Sequence, residues 1–363
     1  MRGRAFGHIC RQARPGARSG NVATDGLFRR WFALVPLAAV LLVLAGCGPG
    51  GGDAQRKPPP APEPAEAPPL EEEPAGRVVK VGPAPEGVAV DPETGLVAVA
   101  LRNPNELALV DGESGEISQR VELPESARHI DIAAPGGPVL VPAEGSNSLV
   151  QVGLPDGEIL DETPVGDFPH AAAAAPDGRI FVANEKASTA SVVKDGREVE
   201  TVKTDLKPGS VAVTESGLVG VVGVQGLTLE IFASDNLDSL GRVDAGEGPT
   251  HVKAGPENRF YVTDTRGDAV FVYGARPEPK QLDRVPLPGS PYGIAVDPRR
   301  DHLWVTLTAR QQVVQFALEG DALREIARYP TVRQANTVAV DPASGRVFVA
   351  GKTDGQLQIL DPR

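Results

Sequence analysis

Short apolar runs of about five or six residues alternate with turn clusters along the chain from Arg77 onward. Runs this short, rich in Val, Ala, Ile and Leu and bounded by Gly, Pro, Asp and Asn, predict β-strands rather than helices. They fall into one recurring unit. Its first strand reads "PEGVAV" at Pro85, "ARHIDI" at Ala127, "PHAAAA" at Pro169, "PGSVAV" at Pro208, "PTHVKA" at Pro249, "PYGIAV" at Pro291 and "ANTVAV" at Ala335. The intervals of 42, 42, 39, 41, 42 and 44 residues match one four-stranded propeller blade.

Inside each unit the order repeats. A turn such as "DPETG", "PDG" or "DPASG" follows the first strand, where Asp-Pro and Gly favour a tight bend. Second strands such as "RIFVAN" and "RFYVTD" come next, then a polar loop, then a third strand such as "ELALVD". The fourth strand is more polar, as an outer edge requires. The seventh unit ends after its third strand, and "RVVKV" at 77–81 precedes the first unit. The expected fold is therefore all-β: a seven-bladed β-propeller over 77–363, closed by the N-terminal strand pairing into the last blade.

The motifs "RFYVTD" (259–264), "RIFVAN" (179–184) and "RVFVAG" (346–351), with "GVAVDP" (87–92) and "GIAVDP" (293–298), resemble the YVTN repeat of YncE-like exported propellers. The resemblance covers about residues 77–363 and implies the propeller fold; many members of that family have no known activity.

The N-terminus reads as an address. Arg29 and Arg30 precede a 16-residue apolar run, 31–46, that leads into Cys47 as "LAGC", residues 44–47. A positive region, an apolar stretch and small residues before a cysteine predict a signal peptide over 1–46. "LAGC" resembles the bacterial lipobox, which implies a lipid on Cys47 and an exported protein anchored to a bacterial membrane. Residues 47–76 are dense in Pro, Glu, Gly and Ala and predict a disordered spacer. Cys10 lies within the signal region, so the mature chain keeps a single cysteine and no internal disulfide is expected.

Charge narrows the partners. Residues 1–46 hold seven Arg and one Asp, so without them the net charge of −12 becomes −18. The spacer 48–76 carries six acids and two bases, which leaves the propeller at about −14. So acidic a body repels phosphates, and no nucleic-acid partner is expected. A closed ring needs no second copy, so a monomer is expected.

Candidate chemistry collects at the residues that open the inner strands: Glu86, Arg128, His129, His170, His251, Tyr292 and Asn336. Three of the five histidines fall in this ring. Imidazoles at a channel mouth can bind a polar ligand, ligate a metal or move protons. His129 and His251 share a register, however, and His170 stands one residue earlier, so strand alternation argues against convergence. No phosphate-binding Gly loop, haem-attachment "CxxCH" or nucleophile motif is present. The expectation is a binding or scaffold protein that offers this face to an envelope protein, peptide or small ligand, without a cofactor. A hydrolase or lyase, or a cofactor-bearing redox subunit, built on the same histidines is the alternative.

Overall fold

Residues 59–362 are described in the computed structural model of the chain. The expected signal region and the expected lipidation position, Cys47, lie outside them. The described residues form seven antiparallel sheets of four strands each. Six sheets run in chain order from inner to outer strand. In the seventh, Arg77–Lys80 pairs with Gln356–Leu360, register Arg77 to Ile359 and Lys80 to Gln356. The first strand thus completes the last blade.

The core lies between blades. Each of the seven hydrophobic clusters joins one adjacent pair, for example Leu107, Leu109, Val141 and Val150 between blades 1 and 2. Trp304, fully buried between blades 6 and 7, is the largest side chain among them. Val79 and Val81 join the cluster between blades 7 and 1, so the closing strand contributes packing as well as pairing. All seven clusters are made within residues 56–363, so this stretch carries its own core.

The inner strands come very close around the axis. A Cβ on Gly87 would sit 2.7 Å from the Arg128 carbonyl oxygen, and one on Gly293 would sit 2.6 Å from that of Asn336. Only glycine fits there. Blade 2 departs from the sequence expectation: its inner strand is only Asp131–Ile132, not a full strand from Ala127. The next residues of its partner strand are Val141 and Pro142, and Pro142 has no N–H to extend the ladder.

The spacer also departs from expectation over residues 59–76. This stretch has no helix or strand before Arg77, yet Pro62 and Ala67 are buried and its backbone is hydrogen-bonded to the propeller. Composition alone says that such a segment has too little apolar surface to order itself. The missing term is the polar face of the ring, which supplies partners from turns more than 200 residues away.

Candidate functional site at the channel mouth

Local backbone geometry gathers the site. In six blades the pairing of the inner strand skips a residue directly after its start, at Glu86, His170, Gly209, Thr250, Tyr292 and Asn336. A bulge of this kind leaves the extra residue off the ladder and re-aims its side chain. In five blades the residue before the strand has a left-handed backbone: Ala84, Phe168, Lys207, Ser290 and Gln334, with φ between 43° and 60°. Non-glycine residues in this region carry a local cost that the surrounding structure must hold.

The bulge at Pro169 overturns the expectation that the histidines diverge. His170 is the off-ladder residue there and His251 directly follows the off-ladder Thr250 of its own bulge, so strict alternation does not separate them, and the three rings meet. His129 and His251 stand edge to face with centroids 4.4 Å apart, and His170 is 4.9 Å from His129. His251 Nε2 lies 3.2 Å from His129 Nε2, and the Tyr292 ring is 4.6 Å beyond His251. His129 also lines the central channel, a cavity of about 210 Å³. Deeper in that channel, Lys253 Nζ meets Asp131 at 2.6 Å.

Burial governs the charge state of this row. It pushes the His251 imidazole down to about 3, and the nearby His170 and Lys253 act in the same direction. It also lowers His129 well below the usual histidine range, reinforced by His251 and His170. Burial pushes the Tyr292 phenol up. Near neutral pH, His129, His251 and Tyr292 are therefore uncharged.

Beside this neutral row runs a chain of alternating basic and acidic side chains across blades 7, 1, 2 and 3. Lys352 Nζ is 2.6 Å from Glu86, Arg102 Nε is 3.6 Å from Glu86, and Arg102 Nη2 is 2.7 Å from Glu144. His170 Nδ1 lies 3.1 Å from Glu144 and 3.6 Å from Glu185, and Lys207 Nζ is 3.3 Å from Glu185. The His170–Glu144 approach has ion-pair distance without hydrogen-bond alignment. Burial raises the Glu144 carboxyl, but His170, Arg102 and Arg128 outweigh it and hold the group below its usual range. Arg128 sits between the two sets: its Nε is 3.9 Å from Glu144 and its Nη1 is 3.1 Å from Glu63.

All seven residues expected from sequence lie around this mouth. Asn336 acts at one remove, its Oδ1 accepting a 3.1 Å hydrogen bond from Gln334. Arg102, Glu144, Glu185 and Lys352 were not singled out from sequence. They had a signal: each directly follows the second strand of its blade, so they form one column of the repeat. Phe168 was missed too; it stacks 6.3 Å from His170 under Lys186. Among the described residues, no three His, Cys, Asp or Glu side chains are grouped to hold a metal ion.

The mouth is roofed by the chain itself. Ala61, Pro62 and Glu63 lie over Arg128, His129, His170, His251 and Tyr292, leaving a gap of about 30 Å³.

No protein-family model matches this sequence, and no curated protein matches it. Solved structures do. A chain of hydrazine synthase from Kuenenia stuttgartiensis superposes with a TM-score of 0.70 at 16% identity, covering 78% of this chain and 97% of that one. Virginiamycin B lyase from Staphylococcus aureus gives 0.64 at 14% identity, with 79% and 99% covered. A chain of a mitotic checkpoint complex gives 0.70 at 12%, with 83% and 96% covered. At such identities the likeness is one of fold, and proteins this different in role share it.

Proposed function

We propose that the chain is an exported bacterial lipoprotein of the YVTN-repeat kind, tethered through Cys47, whose propeller binds a protein, peptide or small ligand at the channel mouth. The observation that carries the binding reading is the linked row of polar groups, charged except for the His170 imidazole between two carboxylates, running from Lys352 through Glu86, Arg102, Glu144, His170 and Glu185 to Lys207. The carboxylates Glu86 and Glu144 in it are each less than a tenth exposed. Taking charges out of water costs several kcal/mol per ion, and apolar residues of equal size often hold a fold as well or better. A purely structural ring has no need of such a row. A face that must meet a polar ligand does.

Substitution tests this directly. The double variant Arg102→Met/Glu144→Leu keeps its neighbours paired, Glu86 with Lys352 and His170 with Glu185. Its melting temperature is expected to equal or exceed that of the parent. A fall of roughly 5 °C or more, about 3 kcal/mol for a domain of this size, would make the row structural and remove the reason to read a binding site there. The tether has its own assay: an alkyne fatty acid fed to the producing bacterium should label the chain and fail to label Cys47→Ala. An unlabelled parent would refute the lipid anchor.

A further inference from the structure

The segment over the mouth is held in an unusual way for a spacer. Its backbone, more than its side chains, is what the propeller grips. Arg266 donates to the Pro60 carbonyl at 2.8 Å. The Gln334 side-chain amide donates to Ala65 O at 2.8 Å and accepts from Ala67 N–H at 2.8 Å. Ser290 Oγ accepts from Ala65 N–H at 3.2 Å, Arg333 donates to Ala67 O at 3.3 Å, and Gln311 donates to the Pro68 carbonyl. Proline-rich chains make no internal backbone hydrogen bonds, so their carbonyls are free to be read from outside.

Two of the gripping residues, Ser290 and Gln334, are among those held in left-handed backbone at the strand starts. Gln334 is further oriented by buried Asn336. The Gln334–Asn336 hydrogen bond holds the Gln334 amide in the orientation that its two backbone contacts use. The segment also places one carboxylate, Glu63, on Arg128, the cation that borders the histidine row.

Resting on the reading of the mouth as a ligand site, we infer that this face recognises an extended, proline-rich peptide presenting a carboxylate side chain to Arg128, and that residues 60–69 are the chain's own stand-in for it. Because the contacts are to backbone, a peptide supplied in trans satisfies them equally. Only Pro62 and Ala67 of the segment are buried, so the apolar contribution is small and the stand-in is displaceable. Tethering gives it an effective concentration on the order of millimolar. A trans ligand must outcompete that.

The test uses residues 56–363 with 60–69 replaced by a Gly/Ser run of equal length, which frees the mouth. A synthetic peptide of the sequence 59–70 is titrated into it by calorimetry. Binding is expected, and at least about tenfold weaker apparent affinity is expected for the parent 56–363, whose own segment competes. The Glu63→Gln peptide should bind about fivefold more weakly, since Glu63 is well exposed and such pairs are worth up to about 1 kcal/mol. Gln334→Ala in the protein should cost about tenfold through two lost hydrogen bonds. A cooperatively melting Gly/Ser variant that binds no peptide overturns the inference, as does equal binding of the Glu63→Gln peptide. Glutarate, titrated in parallel, separates the two levels. Glutarate binding that disappears with Arg128→Ala keeps the mouth as an anion site even if the peptide fails; silence from both probes removes the site as well.

Discussion

Glu144→Ala should destabilise residues 56–363 by about 3–5 kcal/mol, the cost of removing one partner from a buried ionic group. Glu144 is 4% exposed and is shared by Arg102 at 2.7 Å and His170 at 3.1 Å, with Arg128 further off at 3.9 Å. Truncating it leaves Arg102, whose Nε already has no hydrogen-bond partner, facing only Glu86 at 3.6 Å. The contrast with Arg102→Met/Glu144→Leu matters more than either value. Removing both charges avoids an uncompensated ion, so the double variant should be far more stable than the single one. Denaturant unfolding of the two side by side measures this. A single variant as stable as the parent would mean that water already solvates the row, and the cost argument for a binding role would lose its basis.

Acidification should destabilise the protein well above the range where carboxylates titrate. In the folded chain His251 ionises only near pH 3, whereas in the unfolded chain it follows the ordinary value near 6.5. Between those limits the unfolded state binds more protons, so stability falls as pH falls. The loss begins as pH drops through about 6.5 and is complete near the folded value. At pH 5 the share of His251 is about 2 kcal/mol, and buried His129 adds in the same direction. The lowered carboxyls of Glu144 and Asp91 lose their contribution only at still lower pH. Melting curves at pH 7.5, 6 and 5 should show a steady decline, with a shallower slope for His251→Gln. A flat profile down to pH 5, or an unchanged slope in the variant, would show that His251 reaches solvent.

Much of the fold was legible because a propeller repeats. The seven inner-strand openings and the displaced strand "RVVKV" fix blade number and closure without any tertiary information, and Arg77–Lys80 pairs where the count required. The short inner strand of blade 2 was not anticipated, although Pro142 was visible, because its effect depends on which residue it faces across the ladder. The site was harder to read for a similar reason. Alternation assigns His170 to the side opposite His129 and His251, and the bulges at the starts of the His170 and His251 strands suspend that alternation. A bulge is a property of two strands together, not of one. The charged column Arg102, Glu144, Glu185 and Lys352 was within reach once the second strands were aligned. The docking of residues 60–69 was not within reach. Its Pro and Glu content describes a chain that cannot order itself, and the order comes from Arg266, Ser290, Gln311 and Gln334 on the far side of the sequence.

Those contacts make the occupied mouth directly measurable. Amide hydrogen exchange at Ala65 and Ala67 in residues 56–363 reports it, because both N–H groups are held by propeller side chains, Ser290 and Gln334. Exchange slower than in the free peptide is expected, returning to the free rate when the peptide 59–70 is added in excess and takes the segment's place. Exchange at the free-peptide rate with no competitor present would contradict the account, since the mouth would then be open and Glu63 would not be its occupant.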